Sequence, residues 1–312
     1  MNVKADVTLH RPNKNLLHFK RYWTLYLLFL LPLAQVALFR YGPMINILAA
    51  FKENRFLWPL FERAWADNYG FQFFIQAFND QIFLEALRNT LVLSLLGLVM
   101  GFPIPIILAI MLNELRVKVF KRVTQTILYM PHFLSWAIIA GIATQVLATR
   151  GMVNSFFGTQ IPFLQAEVHW IFSYTLIGIW ASMGWNTIIY LAAITAVSPE
   201  LYEAAAVDGA KRFRMIWHIT LPGIRHVIVI LFIFAIAGVL GSDLERVMAM
   251  RNPIVYGVSD TIAVFTFNRG VVGQPPQQSL AAAVGLFQSV VSVILLVSAN
   301  AMAKKFGERG IL

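Results

Sequence analysis

The sequence predicts an all-α protein that crosses a membrane several times. Of its 312 residues, 58% are hydrophobic and only 13% are charged, and the mean hydropathy is +0.67. A soluble domain is typically about half apolar and about a quarter charged. The apolar residues are also clustered in runs, and a helix needs about 20 such residues to cross a bilayer. Composition and clustering together exclude a soluble globular protein.

Six runs are long and apolar enough to be membrane helices, and none of them contains Asp, Glu, Lys or Arg. They cover residues 22–39, 90–112, 126–147, 171–194, 226–240 and 281–303. The first run is long and no small-residue cleavage site follows it, so we interpret it as a retained anchor rather than a secretory signal. Prolines fall inside three of the runs, which membrane helices tolerate when neighbouring groups satisfy the freed carbonyls.

The net charge of +10 is distributed as expected for a membrane protein. With six spans and the N-terminus inside, the inner segments contain 16 Lys and Arg but only six acids, whereas the outer segments contain nine of each. An excess of Lys and Arg on one side of the membrane marks the cytoplasmic side. We therefore predict that both termini are cytoplasmic, and the basic charge gives no support to nucleic-acid binding.

No catalytic, phosphate-binding or metal-binding constellation is present in the sequence. The chain has no cysteine, which excludes disulfides and thiolate metal sites. It also lacks a Gly-rich phosphate loop that ends in Lys-Ser or Lys-Thr. We therefore predict a chain that is not an enzyme, does not hydrolyse ATP and holds no cofactor or metal of its own.

The sequence suggests two regions. Residues 1–86 contain a basic tail, the first membrane helix and an outer segment, and residues 87–312 form the core. The outer segment is rich in aromatic residues. They form either an interfacial aromatic belt or a docking surface for an external partner.

A polar stretch between the fourth and fifth runs has a distinctive spacing. Glu203-Ala204-Ala205 is followed by Gly209, six residues after the glutamate. The stretch then closes with Ile219, Leu221 and Pro222.

Local signals in this stretch predict two short helices joined by a turn. Ser198-Pro199-Glu200 is typical of a helix start, and Gly209 permits the turn. A second helix over residues 210–219 is expected to stop before Pro222. An elbow at the inner membrane face results, with apolar contact residues Leu201, Ala204, Ala205, Met215, Ile216 and Ile219.

This pattern resembles the EAA loop of permease subunits in binding-protein-dependent ABC importers. The resemblance implies that the elbow docks into a cytoplasmic ATPase, with Glu203 as the charged contact and Gly209 as the hinge. Leu221 and Pro222 would begin the next span. The implied partners are a second permease, two ATPase subunits that bind ATP and Mg, and an external solute-binding protein. The implied location is the inner membrane of a bacterium.

Further strings are similar to those of a branch of sugar permeases. Among them are Arg88-Asn89-Thr90 and the run 129–133, which reads YMPHF. Within that branch the chain looks most like a permease of an alginate importer, so the resemblance implies an oligosaccharide substrate such as alginate or another uronate-containing polysaccharide fragment. One alternative is a permease of the same superfamily for amino acids or metals. Another is an ion-gradient-driven transporter or channel, whose expected mark is ionisable residues within the spans.

Candidate substrate-path residues are chosen by their chemistry. Sugars suit a stacking aromatic with a few placed polar groups. Trp185 and Ser182 lie three positions apart on one predicted helix, and Ser242 follows the fifth run. His132 is expected to form a helix–helix hydrogen bond. The outer arginines Arg246, Arg251 and Arg269 add attraction for an acidic sugar.

Overall fold

The computed structural model describes residues 14–55, 57–241, 243–305, 307 and 310, with the side chains described from residue 21 onward. Within these residues the chain is helical and contains no β-strand; Lys52 and Trp65 form an isolated bridge. The helices are α1 Lys14–Val36, α2 Gln72–Asn79, α3 Gln81–Gly101, α4 Pro103–Glu114, α5 Lys118–Tyr129, α6 Trp136–Leu147, α7 Met152–Phe157, α8 Glu167–Thr195, α9 Pro199–Val207, α10 Arg212–Met215, α11 Leu221–Ala237, α12 Leu244–Met250, α13 Tyr256–Ser259, α14 Ile262–Phe267 and α15 Gln278–Lys305.

Six helical segments in the described part of the chain are long and apolar enough to cross a membrane, as predicted. They cover Arg21–Phe51, Gln81–Glu114, Trp136–Phe157, Glu167–Thr195, Arg212–Ala237 and Gln278–Lys305. The second of these segments combines α3 and α4, and Pro103 is the first residue of α4. Proline suits this first position because its missing N–H would have no helical partner there.

The predicted third span, residues 126–147, is not one helix. The helix α5 ends at Tyr129, a 3₁₀ turn covers Met130–Phe133, and α6 begins at Trp136. Pro131 lacks the N–H that would continue α5. The Ser135 hydroxyl then accepts a hydrogen bond from the Ile138 N–H (3.4 Å) and caps the new helix.

The prediction that the elbow's second helix stops before Pro222 is also wrong. The helix runs from Arg212 through a π turn, Ile216–Thr220, into α11 without a break. The Leu221 N–H donates to the Ile216 carbonyl, five residues back. This wider turn immediately precedes Pro222, and such a bulge relieves the clash between a proline ring and the preceding turn.

The chain divides into two compact units, one ending at Leu48 and the other beginning at Ala49. This division lies earlier than the boundary at residue 86 suggested by the sequence. The reason is that Phe73 and Ala77 of α2 join Leu280 of α15 in one buried cluster, so the outer segment belongs with the core.

The helices of the second unit pack through small and aliphatic residues. Ala109, Tyr190 and Ile224 join α4, α8 and α11, and Ile233 joins α11 to α15. At Gly184 of α8, an added Cβ would overlap the Leu128 carbonyl of α5. Small residues of this kind let membrane helices approach closely.

The string Arg88-Asn89-Thr90 ties the second span to the third outer loop. The Asn89 amide donates to the carbonyls of Gly257 (2.9 Å) and Asp260 (3.0 Å). The Thr90 hydroxyl accepts from the Ile262 N–H at 2.9 Å. Since Asn89 and Thr90 are buried, these bonds fix the loop against α3.

Candidate transport pathway and coupling elbow

A cavity of about 570 Å³ lies between α3, α4, α8, α11 and α12. Its volume is in the range typical of small-molecule sites, about 300–1,000 Å³. Most of its wall is apolar or glycine. The polar residues that line it are Ser94, Thr175, Ser182, Asn186, Tyr190 and Arg246. An apolar wall with a few polar groups is the arrangement expected for a sugar-sized ligand.

The structure separates the two substrate-path residues expected on α8. Ser182 lines the cavity, and its hydroxyl donates to the Gly178 carbonyl at 2.9 Å. Trp185 does not line the cavity; its ring stacks on His132 with centroids 4.6 Å apart and an interplanar angle of 11°. Three residues rotate by about 300° around a helix, about 60° short of a full turn. This offset places Trp185 on the face next to that of Ser182. His132 therefore meets α8 by ring stacking rather than by the expected hydrogen bond.

The third candidate, Ser242, lies outside the described residues. Its neighbours Gly241 and Asp243 line a smaller cavity of about 130 Å³. This small cavity and the large one share four lining residues: Leu93, Ser94, Gly97 and Arg246.

Sequence reasoning missed Ser94 and Thr175 as lining residues and placed Arg246 only in an outer loop. The Thr175 hydroxyl is buried with no hydrogen-bond partner among the described residues. A weak signal for Ser94 was available, because Gly97 and Gly101 follow it at helical spacing. No such signal exists for Arg246, which reaches the cavity by tertiary packing.

Two of the outer arginines are held by carboxylates. Arg251 pairs with Asp260 at 2.8 Å, and Arg269 pairs with Asp80 at 3.0 Å. Burial raises the pKa of Asp260, and the Arg251 cation opposes that rise. Arg246 has no such ion pair among the described contacts, so it differs from the other two.

The predicted elbow is present and its turn is a well-formed helix end. Gly209 has φ +75°. Its N–H donates to the Ala206 carbonyl (3.1 Å), and the Ala210 N–H donates to the Ala205 carbonyl (2.9 Å). These two bonds and the left-handed glycine constitute a Schellman motif. Ser198 precedes α9, but its hydroxyl does not cap the helix as expected.

The exposed apolar residues of the elbow differ in part from those expected. Leu201 and Ala204 are exposed as predicted, and Glu203 beside them is exposed too. On the second helix, however, Met215, Ile216 and Ile219 are half-buried. The most exposed apolar side chains are Val207 (88%), Phe213 (78%) and Trp217 (62%). The unbroken helix from α10 into α11 causes this difference, because it turns the predicted face toward the rest of the protein.

Two contacts anchor the elbow to the membrane helices. Arg212 pairs with Glu114 at the end of α4 (2.9 Å). The Tyr202 and Thr220 hydroxyls share a hydrogen bond of 3.0 Å, which joins α9 to the π turn before α11. Leu221 and Pro222 follow directly in α11, so the elbow is continuous with the fifth span.

Comparisons with known proteins agree with these features. A family described as "Binding-protein-dependent transport system inner membrane component" matches residues 101–307. The "Polygalacturonan/rhamnogalacturonan transport system permease protein YteP" of Bacillus subtilis (strain 168) is 42% identical, over 92% of this chain and 89% of its own. "Protein LplB" of the same organism is 41% identical, over 94% of this chain and 92% of its own.

A solved structure is also similar over nearly the whole chain. It is the "crystal structure of a bacterial ABC transporter involved in the import of the acidic polysaccharide alginate". One of its chains has a TM-score of 0.82 and 34% identity, covering 94% of this chain and 99% of that one. A second structure shows the alginate transporter "in complex with alginate pentasaccharide-bound periplasmic protein".

Proposed function

Because this chain belongs to the family of inner membrane components of binding-protein-dependent transport systems and is a permease of a sugar ABC importer, we propose that it carries an acidic, uronate-containing oligosaccharide. The subunit spans the membrane, and the family is a transport permease rather than the ATPase. The cavity lined by Ser182, Asn186 and Arg246 is the proposed path.

The cavity is the observation that carries this proposal. It combines a mostly apolar wall with hydroxyl and amide groups and one cation. Hydroxyl and amide groups suit the rim of a sugar ring, and a cation suits a carboxylate. Two similar proteins support the acidic class, because they are named for polygalacturonan and for alginate, which are polymers of uronic acids.

Energy for transport comes from partner subunits in this proposal. Two ATPases bind ATP and Mg and close against the elbow, whose exposed residues include Glu203 and Phe213. The Arg212–Glu114 and Tyr202–Thr220 contacts transmit that movement to the membrane helices. A second permease completes the path, and an external binding protein delivers the sugar, as in the alginate complex.

The test is sugar uptake by the complete importer in proteoliposomes. Labelled uronate oligosaccharides and neutral oligosaccharides of equal length are compared, with ATP inside or outside the vesicles. We expect the uronates to accumulate only when ATP is on the side of the ATPases. An ionophore that dissipates ion gradients should not reduce this accumulation. Uptake of only the neutral sugars would refute the acidic substrate class. Uptake abolished by the ionophore would refute ATP coupling.

A further inference from the structure

Arg246 is placed at the cavity by the short helix α12. Asp243 caps this helix by accepting a hydrogen bond from the Arg246 backbone N–H at 3.3 Å. The side chain then crosses α8 at Gly178, where an added Cβ would overlap the guanidinium. Glycine at position 178 therefore provides the space through which the cation reaches the cavity.

The guanidinium is held by contacts that leave its charge unneutralised. Its Nη2 donates to the Tyr174 carbonyl, and its carbon lies 3.8 Å from the Tyr174 ring centroid and 5.2 Å from that of Trp136. The Nε atom is buried without a hydrogen-bond partner among the described residues. Two aromatic faces and one carbonyl orient a cation, but they supply no negative charge.

The surroundings contain little that competes for this cation. Among the described residues that line the large cavity there is no Asp or Glu, and Arg246 is the one Lys or Arg. Among the described residues that line the smaller cavity the one acid is Asp243, whose carboxylate already caps α12. Burial lowers the pKa of Arg246, and the Asp243 carboxylate opposes that decrease. An arginine nevertheless remains protonated in proteins.

We propose that Arg246 binds the carboxylate of a uronate residue where the two cavities join. This site rests on the proposed function and assigns the selection of acidic over neutral sugars to one residue. A guanidinium matches a carboxylate in shape and charge, and the pair is favourable in a partly desolvated site. Binding would also give the buried Arg246 Nε, which has no partner among the described residues, an acceptor after a small shift of the side chain.

The experiment uses the complex of both permeases and both ATPases in nanodiscs. The external binding protein is left out so that its own selectivity does not affect the measured affinities. The probes are a fluorescent galacturonate trisaccharide and its methyl ester, in which each charged carboxylate is replaced by a neutral and slightly larger ester group. We expect Arg246→Gln to weaken binding of the acid about tenfold or more and to leave binding of the ester unchanged. Arg246→Lys retains the charge but not the bidentate fork, so an intermediate loss is expected.

Arg150→Gln is the matched control, because it removes one exposed outer cation away from the cavity; its affinities should equal those of the wild type. Equal weakening of acid and ester by Arg246→Gln would overturn the proposal and make Arg246 a packing residue. Equal affinity of the wild type for acid and ester would overturn the proposed role of Arg246 as well. That result would leave the import of sugars by this importer unaffected. Failure of the wild type to bind either sugar would instead remove the proposed function, and the site with it.

Discussion

Replacing Gly209 by valine is expected to weaken coupling between ATP hydrolysis and transport while the membrane helices still fold. Gly209 adopts φ +75°, and no heavy atom lies within 4 Å of the position a Cβ would occupy. The cost of a side chain is therefore conformational rather than steric. A left-handed conformation costs an ordinary L-residue about 1–2 kcal/mol, with the upper value expected for β-branched valine.

That cost is comparable to what the turn gains. The two hydrogen bonds that close it, from Gly209 and Ala210, contribute about 1 kcal/mol each. A penalty of about 2 kcal/mol shifts the balance between native and rearranged turn roughly thirtyfold. Valine is therefore expected to disrupt the elbow. Asparagine, which tolerates this conformation, should retain it, and alanine should be intermediate.

The assay is substrate-stimulated ATP hydrolysis by the assembled complex, with membrane insertion and assembly checked for each variant. We expect stimulation to decrease in the order Gly, Asn, Ala, Val at position 209. Full stimulation in Gly209→Val would refute the reasoning. Equal loss in the Asn and Val variants would show that the side chain is excluded by a partner surface rather than by its backbone conformation.

The remaining predictions concern packing and topology. Gly184→Ala places a methyl group on the Leu128 carbonyl, so we expect little folded protein by size-exclusion chromatography. The control Gly141→Ala, whose Cβ would meet no atom within 4 Å, should fold normally; equal yields would contradict the close contact. Asn89→Ala removes two buried hydrogen bonds to loop carbonyls and should destabilise the protein by about 2 kcal/mol, which an unchanged unfolding temperature would contradict. A reporter fused after Leu312 should be active only in the cytoplasm, whereas an external signal would overturn the predicted orientation.

The number of spans and the elbow were predictable because local sequence determines them. About 20 apolar residues are needed to cross a bilayer, and a left-handed turn favours glycine, as at Gly209. The effects of the prolines were harder to predict. Pro131 breaks a helix whereas Pro222 lies inside one. A π turn precedes Pro222, and the apolar pattern does not encode that turn.

The cavity was the least predictable feature, because its lining depends on which helix faces meet. Ser182 and Trp185 are three residues apart, yet one lines the cavity and the other stacks on His132. Arg246 reaches the same cavity from an outer helix because Gly178 of α8 leaves room for it. Contacts between residues so distant in sequence have no local pattern that predicts them.

The most direct test of the sugar path uses the absence of cysteine from the chain. Ser182→Cys introduces the only thiol of this subunit at the cavity wall, and Gln160→Cys introduces one at an exposed position of the second outer loop, outside the membrane spans. The rate of labelling by a water-soluble thiol reagent is measured in the assembled importer, built with cysteine-free partners, with and without a uronate oligosaccharide. We predict that the sugar slows labelling at position 182 and has no effect at position 160. An unchanged rate at position 182 under saturating sugar would contradict the assignment of this cavity as the path.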